Sequence, residues 1–86
     1  MYKIVYENQA EKFLRKTATK DLQKIKIKIE QVAQNPFSPH PSLTPLKDIP
    51  HGYRLRIGRL RVIYQLTPSK TLIVWKISPR SSVYKP

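Results

Sequence analysis

The residues best suited to chemistry lie in the stretch from Tyr53 to Tyr64, where apolar and basic residues alternate. Alternation with a period of two predicts a β-strand with two different faces. The dipeptide Gly58–Arg59 fits a two-residue type II′ turn, so the whole stretch is predicted to form a β-hairpin. The register of this hairpin places Arg56 directly opposite Arg61 on one face, with Arg54 one step along.

Opposed arginines are an unfavourable way to build a sheet, because like charges directly across two strands destabilise it. A fold tolerates them most readily when an anion lies between them, and the planar guanidinium group suits phosphate. We therefore predict a phosphate-binding surface, with a merely solvated basic strand face as the alternative. The opposite face of the hairpin is apolar and consists of Tyr53, Leu55, Ile57, Leu60, Val62 and Tyr64.

The net charge of +12 on 86 residues also indicates a polyanionic partner, either a nucleic acid or an acidic protein. The charge is uneven along the chain. Residues 1–34 contain eight basic and four acidic residues, whereas residues 47–86 contain nine basic residues and one acid. The basic excess thus coincides with the predicted strands, where a function explains it better than solvation does.

Length and composition limit the class of protein. The length predicts a single domain over residues 1–86 with one modest core. The chain has no cysteine and two histidines, so we expect no disulfide framework, no metal site and no cofactor. It shows no signal peptide and no apolar run that could span a bilayer, and we expect a cytoplasmic protein that does not bind membranes.

The remaining elements must position the hairpin. Residues 2–6 are predicted to form a strand, Asn8 to Ala18 a helix capped by Asn8, and a second helix is predicted to be capped by Thr19. Residues 35–45 contain four prolines and are predicted to be a loop, since proline is excluded from helix interiors and central strands. The apolar stripe of the second helix consists of Leu22, Ile25, Ile29, Val32 and Ala33.

The last strand, Thr71 to Ser78, has two possible registers, and a slip of one residue reverses both faces. One register sends Ile73, Trp75 and Ile77 to the core, and it is favoured because it buries the tryptophan. The other register sends Leu72 and Val74 to the core. It leaves Trp75 on the basic face, where the indole could stack on a nucleotide base.

The order of strand, two helices, proline-containing loop, three-stranded meander and basic tail resembles the RelE/ParE superfamily of toxin–antitoxin toxins. Three segments carry the resemblance: the hairpin, Leu46-Lys47-Asp48 before it, and Arg80-Ser-Ser-Val-Tyr84 in the tail. The resemblance implies an α+β fold, with an N-terminal strand and a two-helix hairpin packed on one face of a curved, mostly antiparallel four-stranded sheet. It also implies that the opposite, concave face is functional.

In the RelE branch that face cuts mRNA in the ribosomal A site through attack of a 2′-hydroxyl on the neighbouring phosphate. The ParE branch uses the same scaffold to poison DNA gyrase and is not a nuclease. The RelE-type site residues correspond here to Arg54, Arg56, Arg61, Arg80 and Tyr84. Because all five positions carry suitable residue types, the resemblance favours the nuclease over the ParE branch. Arg59 and Lys47 are expected to bind the RNA backbone as well.

The resemblance assigns stabilisation of the phosphorane to Arg61 and Arg56. Arg80 would bind phosphate or assist the leaving group. Tyr84 would transfer a proton, stack on a base, or simply pack the tail onto the sheet. The RelE hairpin usually carries lysines, and arginine is effectively never deprotonated, so the hairpin offers no general base. His51 is interpreted as a turn residue.

The resemblance further implies an acidic, RelB-like antitoxin as partner, together with mRNA and ribosomal RNA in the A site. The toxin–antitoxin complex is expected to bind operator DNA through the antitoxin. Two other functions remain open. One is a gyrase-binding toxin of the ParE type, and the other is a toxin-like module without activity of its own.

Overall fold

A five-stranded mixed sheet carries two helices, as the computed structural model shows for residues 1–37 and 43–79. The strand order is β1-β5-β4-β3-β2; β1 runs parallel to β5 and the other neighbours are antiparallel. This arrangement confirms the predicted α+β class. The elements are β1 (Lys3–Tyr6), α1 (Asn8–Arg15), α2 (Thr19–Gln34), β2 (Leu43–Pro45), β3 (Gly52–Ile57), β4 (Leu60–Leu66) and β5 (Thr71–Pro79).

The prediction of four strands missed β2, which lies at the end of the proline-rich segment. Its three residues pair with β3 at the edge of the sheet, where Pro45 is opposite Tyr53. An edge strand accepts proline because one side of its backbone needs no hydrogen-bonding partner. The prolines thus exclude a central strand, as expected, but not a short edge strand.

Both predicted helix caps are wrong. The N-cap positions are Glu7 and Ala18, and neither makes a capping hydrogen bond through its side chain. The backbone N–H of Glu7 still donates to the carbonyl of Val74 on β5, at 3.0 Å. The chain therefore passes directly from the sheet into α1, and Asn8 is already helical.

Helix α1 also ends earlier than predicted, at Arg15 rather than Ala18. The backbone N–H of Thr17 donates to the carbonyl of Leu14 at 3.1 Å, and the Thr17 hydroxyl donates to the carbonyl of Phe13 at 2.7 Å. These bonds close the last turn, so the break before α2 comes from a threonine that satisfies helix-end carbonyls.

The predicted hairpin is confirmed in its register. Leu55 pairs with Val62, Arg56 with Arg61, and the turn lies between Ile57 and Leu60. Gly58 has a φ of 58°, which a type II′ turn requires at its first central position and which glycine adopts without strain.

The core lies between the two helices and one face of the sheet. Cross-strand partners share a face, and Val62 and Ile77 are partners that are both fully buried. Because both helices bury their apolar side chains in this one cluster, they cover one face and leave the other open. The cluster comprises Ala10, Leu14, Ile25, Ile29, Val32 and Ala33 from the helices and Leu55, Val62, Tyr64, Leu66, Leu72, Val74 and Ile77 from the sheet.

A β-bulge in β5 makes the favoured position of Trp75 wrong. Tyr64 pairs with Val74, whereas its neighbour Ile63 pairs with Lys76, so Trp75 is the extra residue. Leu72 and Val74 are buried as in one predicted register, and Ile77 is buried as in the other. Each predicted register is therefore correct for half of the strand, because the bulge shifts the alternation by one residue.

The side chain of Gln9 fastens α1 to β5 beyond the bulge. Its amide nitrogen donates to the carbonyl of Ile77 and its amide oxygen accepts from the N–H of Ile77, both at 2.9 Å. Strand β1 pairs with β5 only as far as Val74. The Gln9 side chain thus makes the hydrogen bonds to the backbone of Ile77 that a longer β1 would have made.

Tyr64 carries the one buried side-chain polar atom without a hydrogen-bond partner in the described part of the chain. Its ring stacks on Tyr53 with centroids 5.6 Å apart. An unsatisfied buried hydroxyl lowers stability, so the Tyr64→Phe variant should raise the free energy of unfolding by about 1 kcal/mol. Urea denaturation at neutral pH measures this change. A variant less stable than the wild type would show that the hydroxyl has a partner.

The same residue predicts a pH dependence. Burial raises the pKa of Tyr64, and the neighbouring Tyr53 raises it further. The unfolded chain releases this proton near pH 10, so Tyr64 makes the folded state less stable as the pH rises above about 10. The advantage of Tyr64→Phe over the wild type should therefore grow as the pH rises above about 10, while effects of lysine titration cancel in the comparison.

No helix within residues 1–37 and 43–79 has the length and apolar character needed to cross a membrane.

Candidate nucleic-acid interface

The side of the sheet away from the helices, here called the open face, carries the predicted basic residues. Arg54 lies in the middle of β3 and is half-buried. It pairs with Ile63 on β4 and with Thr44 on β2. Arg56 and Arg61 are partners across β3 and β4, and Ser78 on β5 is the next partner of Arg61. The open face thus holds the three hairpin arginines over two adjacent strands.

The side chains of Arg56 and Arg61 leave the sheet side by side. Directly opposite residues have Cβ atoms about 5 Å apart, so the two guanidinium groups can contact one small anion together. Arg56 is exposed, whereas Arg61 is half-buried between β3 and β5. Because neighbouring strands flank Arg61, its side chain has less conformational freedom than that of Arg56. Arg61 is therefore better suited to present its charge at a defined position, with Arg56 on the solvent side.

No carboxylate within residues 1–37 and 43–79 forms a salt bridge with Arg56 or Arg61. Four of the five acidic residues lie before or within the helices, and Asp48 precedes β3. The one salt bridge in the described part of the chain joins Arg15 to Glu11 on α1. The positive charge of the open face therefore remains available to an external anion, and arginine binds phosphate through two parallel hydrogen bonds.

Arg59 and Lys47 lie apart from the arginine pair. Arg59 is exposed at the tip of the hairpin and lines a groove toward the helices, together with Phe13 and Ile25. Lys47 is exposed in the connection between β2 and β3. The predicted tail residues Arg80 and Tyr84 lie outside the described residues, as does His40, which the sequence places between two prolines in the predicted loop. His51 occupies the turn before β3 with a φ of 54°, in agreement with its interpretation as a turn residue.

Sequence reasoning missed Gln65 and Lys76 on the open face and favoured the wrong side for Trp75. The indole Nε1 of Trp75 donates to Oε1 of Gln65 at 3.0 Å, and Nε2 of Gln65 donates to the carbonyl of Pro50 at 3.0 Å. Lys76 is exposed opposite Ile63 and adds a further cation. The sequence offers no signal for this bulge, because residues 72–75 are all apolar and fit either register.

The open face can therefore bind a phosphodiester and stabilise additional negative charge on it. The strands hold Arg56 and Arg61 directly opposite each other, and both guanidinium groups stay charged at any physiological pH. Positive charge placed where an anion develops makes a large contribution to such a reaction. The described open-face residues include no group suited to remove a proton at neutral pH.

The sequence and the fold both match known toxins. Residues 4–84 match the family described as the ParE toxin of the type II toxin–antitoxin system parDE. No curated protein sequence matches the chain.

Three solved structures show the likeness of fold. The isolated RelE toxin of E. coli is 24% identical, with a TM-score of 0.76 over 98% of this chain and 92% of that one. The toxin–antitoxin complex RelBE of E. coli gives 21% identity and a TM-score of 0.76, over 92% and 96% of the two chains. The E. coli DinJ–YafQ complex gives 20% identity and a TM-score of 0.73, over 99% and 100%.

The family match spans nearly the whole chain, and the fold is that of RelE. This chain therefore belongs to the RelE/ParE superfamily as a toxin of a type II toxin–antitoxin system.

Proposed function

We propose that this toxin is a ribosome-dependent mRNA endoribonuclease. The observation that carries the proposal is the opposed pair Arg56 and Arg61, which has no carboxylate partner in the described part of the chain. A sheet that served only as a scaffold would gain stability from a neutral, strand-forming residue at either position, because the repulsion between the two arginines would be removed. The retained charge is explained when a phosphate group of RNA lies between the two side chains.

In the proposed reaction the 2′-oxygen of one nucleotide attacks the adjacent phosphorus and loses its proton to a base. The bond from phosphorus to the 5′-oxygen breaks, the 5′-oxygen accepts a proton, and a 2′,3′-cyclic phosphate remains. Arg61 and Arg56 stabilise the phosphorane, which carries one more negative charge than the ground state. Arg54 binds the neighbouring phosphate of the same strand.

The proton transfers are assigned elsewhere, because arginine cannot act as a base. Tyr84 is proposed to transfer a proton at either the 2′-oxygen or the 5′-oxygen. Arg80 is proposed to contact the phosphate or the leaving group. RNA groups of the ribosome complete the proposed site, and the toxin should therefore be inactive on free RNA.

An acidic antitoxin is the proposed protein partner. The RelBE structure is a complex of toxin and antitoxin, and a chain of net charge +12 complements an acidic segment. We propose that the complex binds operator DNA through the antitoxin. We further propose that the toxin acts in the cytoplasm, where ribosomes are found, as a single domain over residues 1–86.

Inhibition of DNA gyrase is the second candidate, and the match to the ParE family favours it. In that case the open-face arginines bind a protein surface or DNA and catalyse nothing. Inhibition would then be stoichiometric, and mRNA would remain intact.

The deciding experiment uses purified ribosomes that carry an mRNA with a defined A-site codon, beside a gyrase supercoiling assay. We expect one cut within the A-site codon, with a cyclic phosphate or 3′-phosphate end, and no cut without ribosomes. Supercoiling should proceed normally. Blocked supercoiling with intact mRNA would instead assign the toxin to the gyrase branch.

A further inference from the structure

The single tryptophan of the chain, Trp75, lies on the open face, two strands away from Arg54. We propose that Trp75 is a stacking platform for one base of the bound RNA and thereby contributes to the choice of codon. This inference rests on the proposed nuclease function and adds a base-binding subsite to its phosphate-binding arginines. Aromatic side chains next to cationic grooves bind single-stranded RNA by stacking on base faces.

The exposure of Trp75 is the first argument. It remains 40% exposed, although a large aromatic side chain contributes strongly to stability when it is buried. The bulge places it on the open face between Val74 and Lys76, outside the core cluster. The fold therefore leaves a substantial part of its largest side chain exposed, on the same face as the charges that would hold RNA.

The orientation of the indole is the second argument. Gln65 accepts the indole N–H at 3.0 Å and is itself tied to the carbonyl of Pro50. The indole has no other polar group, so its ring needs no further hydrogen bond from a ligand. A ring that is fixed before binding loses little conformational freedom when a base stacks on it.

The distance from the arginines fits a nucleotide that flanks the cut. Trp75 is the bulged residue of β5, and the next residue, Lys76, pairs with Ile63 on β4, which is itself the partner of Arg54 on β3. Two strand spacings amount to about 10 Å, which is roughly three steps of a stacked strand at ~3.4 Å each. Lys76 lies beside Trp75 and can hold the phosphate of the stacked nucleotide.

Fluorescence offers a direct test, because Trp75 is the only tryptophan. The free toxin is titrated with a short RNA whose 2′-oxygens are methylated, so that it binds without being cut. A matched strand of equal length and charge that lacks bases serves as the control. We expect the base-bearing strand to quench the fluorescence and to bind at least about tenfold more tightly than the abasic strand.

Variants separate stacking from charge. Trp75→Leu should bind the base-bearing RNA about tenfold more weakly and bind the abasic strand as the wild type does. Trp75→Phe keeps an aromatic face and should restore most of the preference for base-bearing RNA. In the ribosome assay, Trp75→Leu should alter the relative cutting rates of different A-site codons, while Trp75→Phe should keep the wild-type order.

The outcomes distinguish the two proposals. Equal quenching and equal affinity for both strands, with an unchanged codon order in Trp75→Leu, would overturn the stacking platform and leave the nuclease intact. Base-dependent quenching without any cut on ribosomes would support the platform and refute the nuclease. Absence of binding to either strand would overturn the platform, and the ribosome assay would then decide the nuclease separately.

Discussion

Replacing Arg61 by alanine is expected to lower the rate of the proposed mRNA cleavage about 100- to 1,000-fold, because in that reaction the substitution removes positive charge beside the developing phosphorane. The same change should leave the free energy of unfolding unchanged or raise it by up to about 1 kcal/mol, since it relieves the repulsion from Arg56 across the strands. Loss of activity together with equal or greater stability identifies a charge that is retained for function.

The measurement combines single-turnover cleavage on ribosomes with urea denaturation. Arg15→Ala is the matched control, because Arg15 lies on α1 with its side chain 71% exposed and paired to Glu11. It removes one arginine from the opposite side of the sheet, and an exposed ion pair contributes less than about 1 kcal/mol. If Arg15→Ala impairs cleavage as much as Arg61→Ala does, net charge alone is responsible and the open face is not the site.

Deletion of one residue from β5 should lower the stability of the fold strongly on one side of the bulge and change it little on the other. Without Ile73, Leu72 and Val74 become adjacent and must point to opposite faces, so one of them leaves the core. This loss should cost at least about 2 kcal/mol of stability. Without Lys76, Leu72, Val74 and Ile77 follow one another at a spacing of two, and all three stay buried.

Thermal and urea unfolding of the two deletion variants tests this expectation. Removal of Lys76 should change the free energy of unfolding by less than about 1 kcal/mol, because it converts the bulge into a regular ladder in which Trp75 pairs with Ile63. Trp75 should stay on the open face in this variant, so its fluorescence should still report an exposed indole. If removal of Lys76 destabilises the protein as much as removal of Ile73, the bulge has a structural role of its own.

The hairpin could be predicted from the sequence because its local signals agree. The alternation of apolar and basic residues sets the faces, and Gly58 at the turn sets the register, so Arg56 and Arg61 can pair in only one way. The last strand lacked that agreement. Its apolar residues fit two registers, and the structure uses both, separated by a residue that simple alternation does not allow for. Placing Trp75 in the core was a reasonable inference from hydrophobicity alone, but it was wrong.

Other differences have tertiary causes. Asn8 and Thr19 are good capping residues, yet the chain enters α1 while Glu7 is still bonded to β5, so the start of the helix is determined by the sheet. The three residues of β2 form a strand because β3 offers them an edge. The link from Trp75 through Gln65 to Pro50 joins residues far apart in the chain, and no local pattern predicts it.

The strict division of the hairpin into a core face and an open face has a genetic consequence. Bacteria that survive unopposed production of this toxin should carry two classes of mutation. Changes at Leu55 or Val62, which are buried, should remove the protein by unfolding it. Changes at Arg56 or Arg61 should leave a folded and abundant protein, because these side chains lie outside the core. That protein should be harmless, because the proposed phosphate-binding pair is lost. A substitution at one of two adjacent positions of the same strand thus removes either the folded protein or only its toxicity.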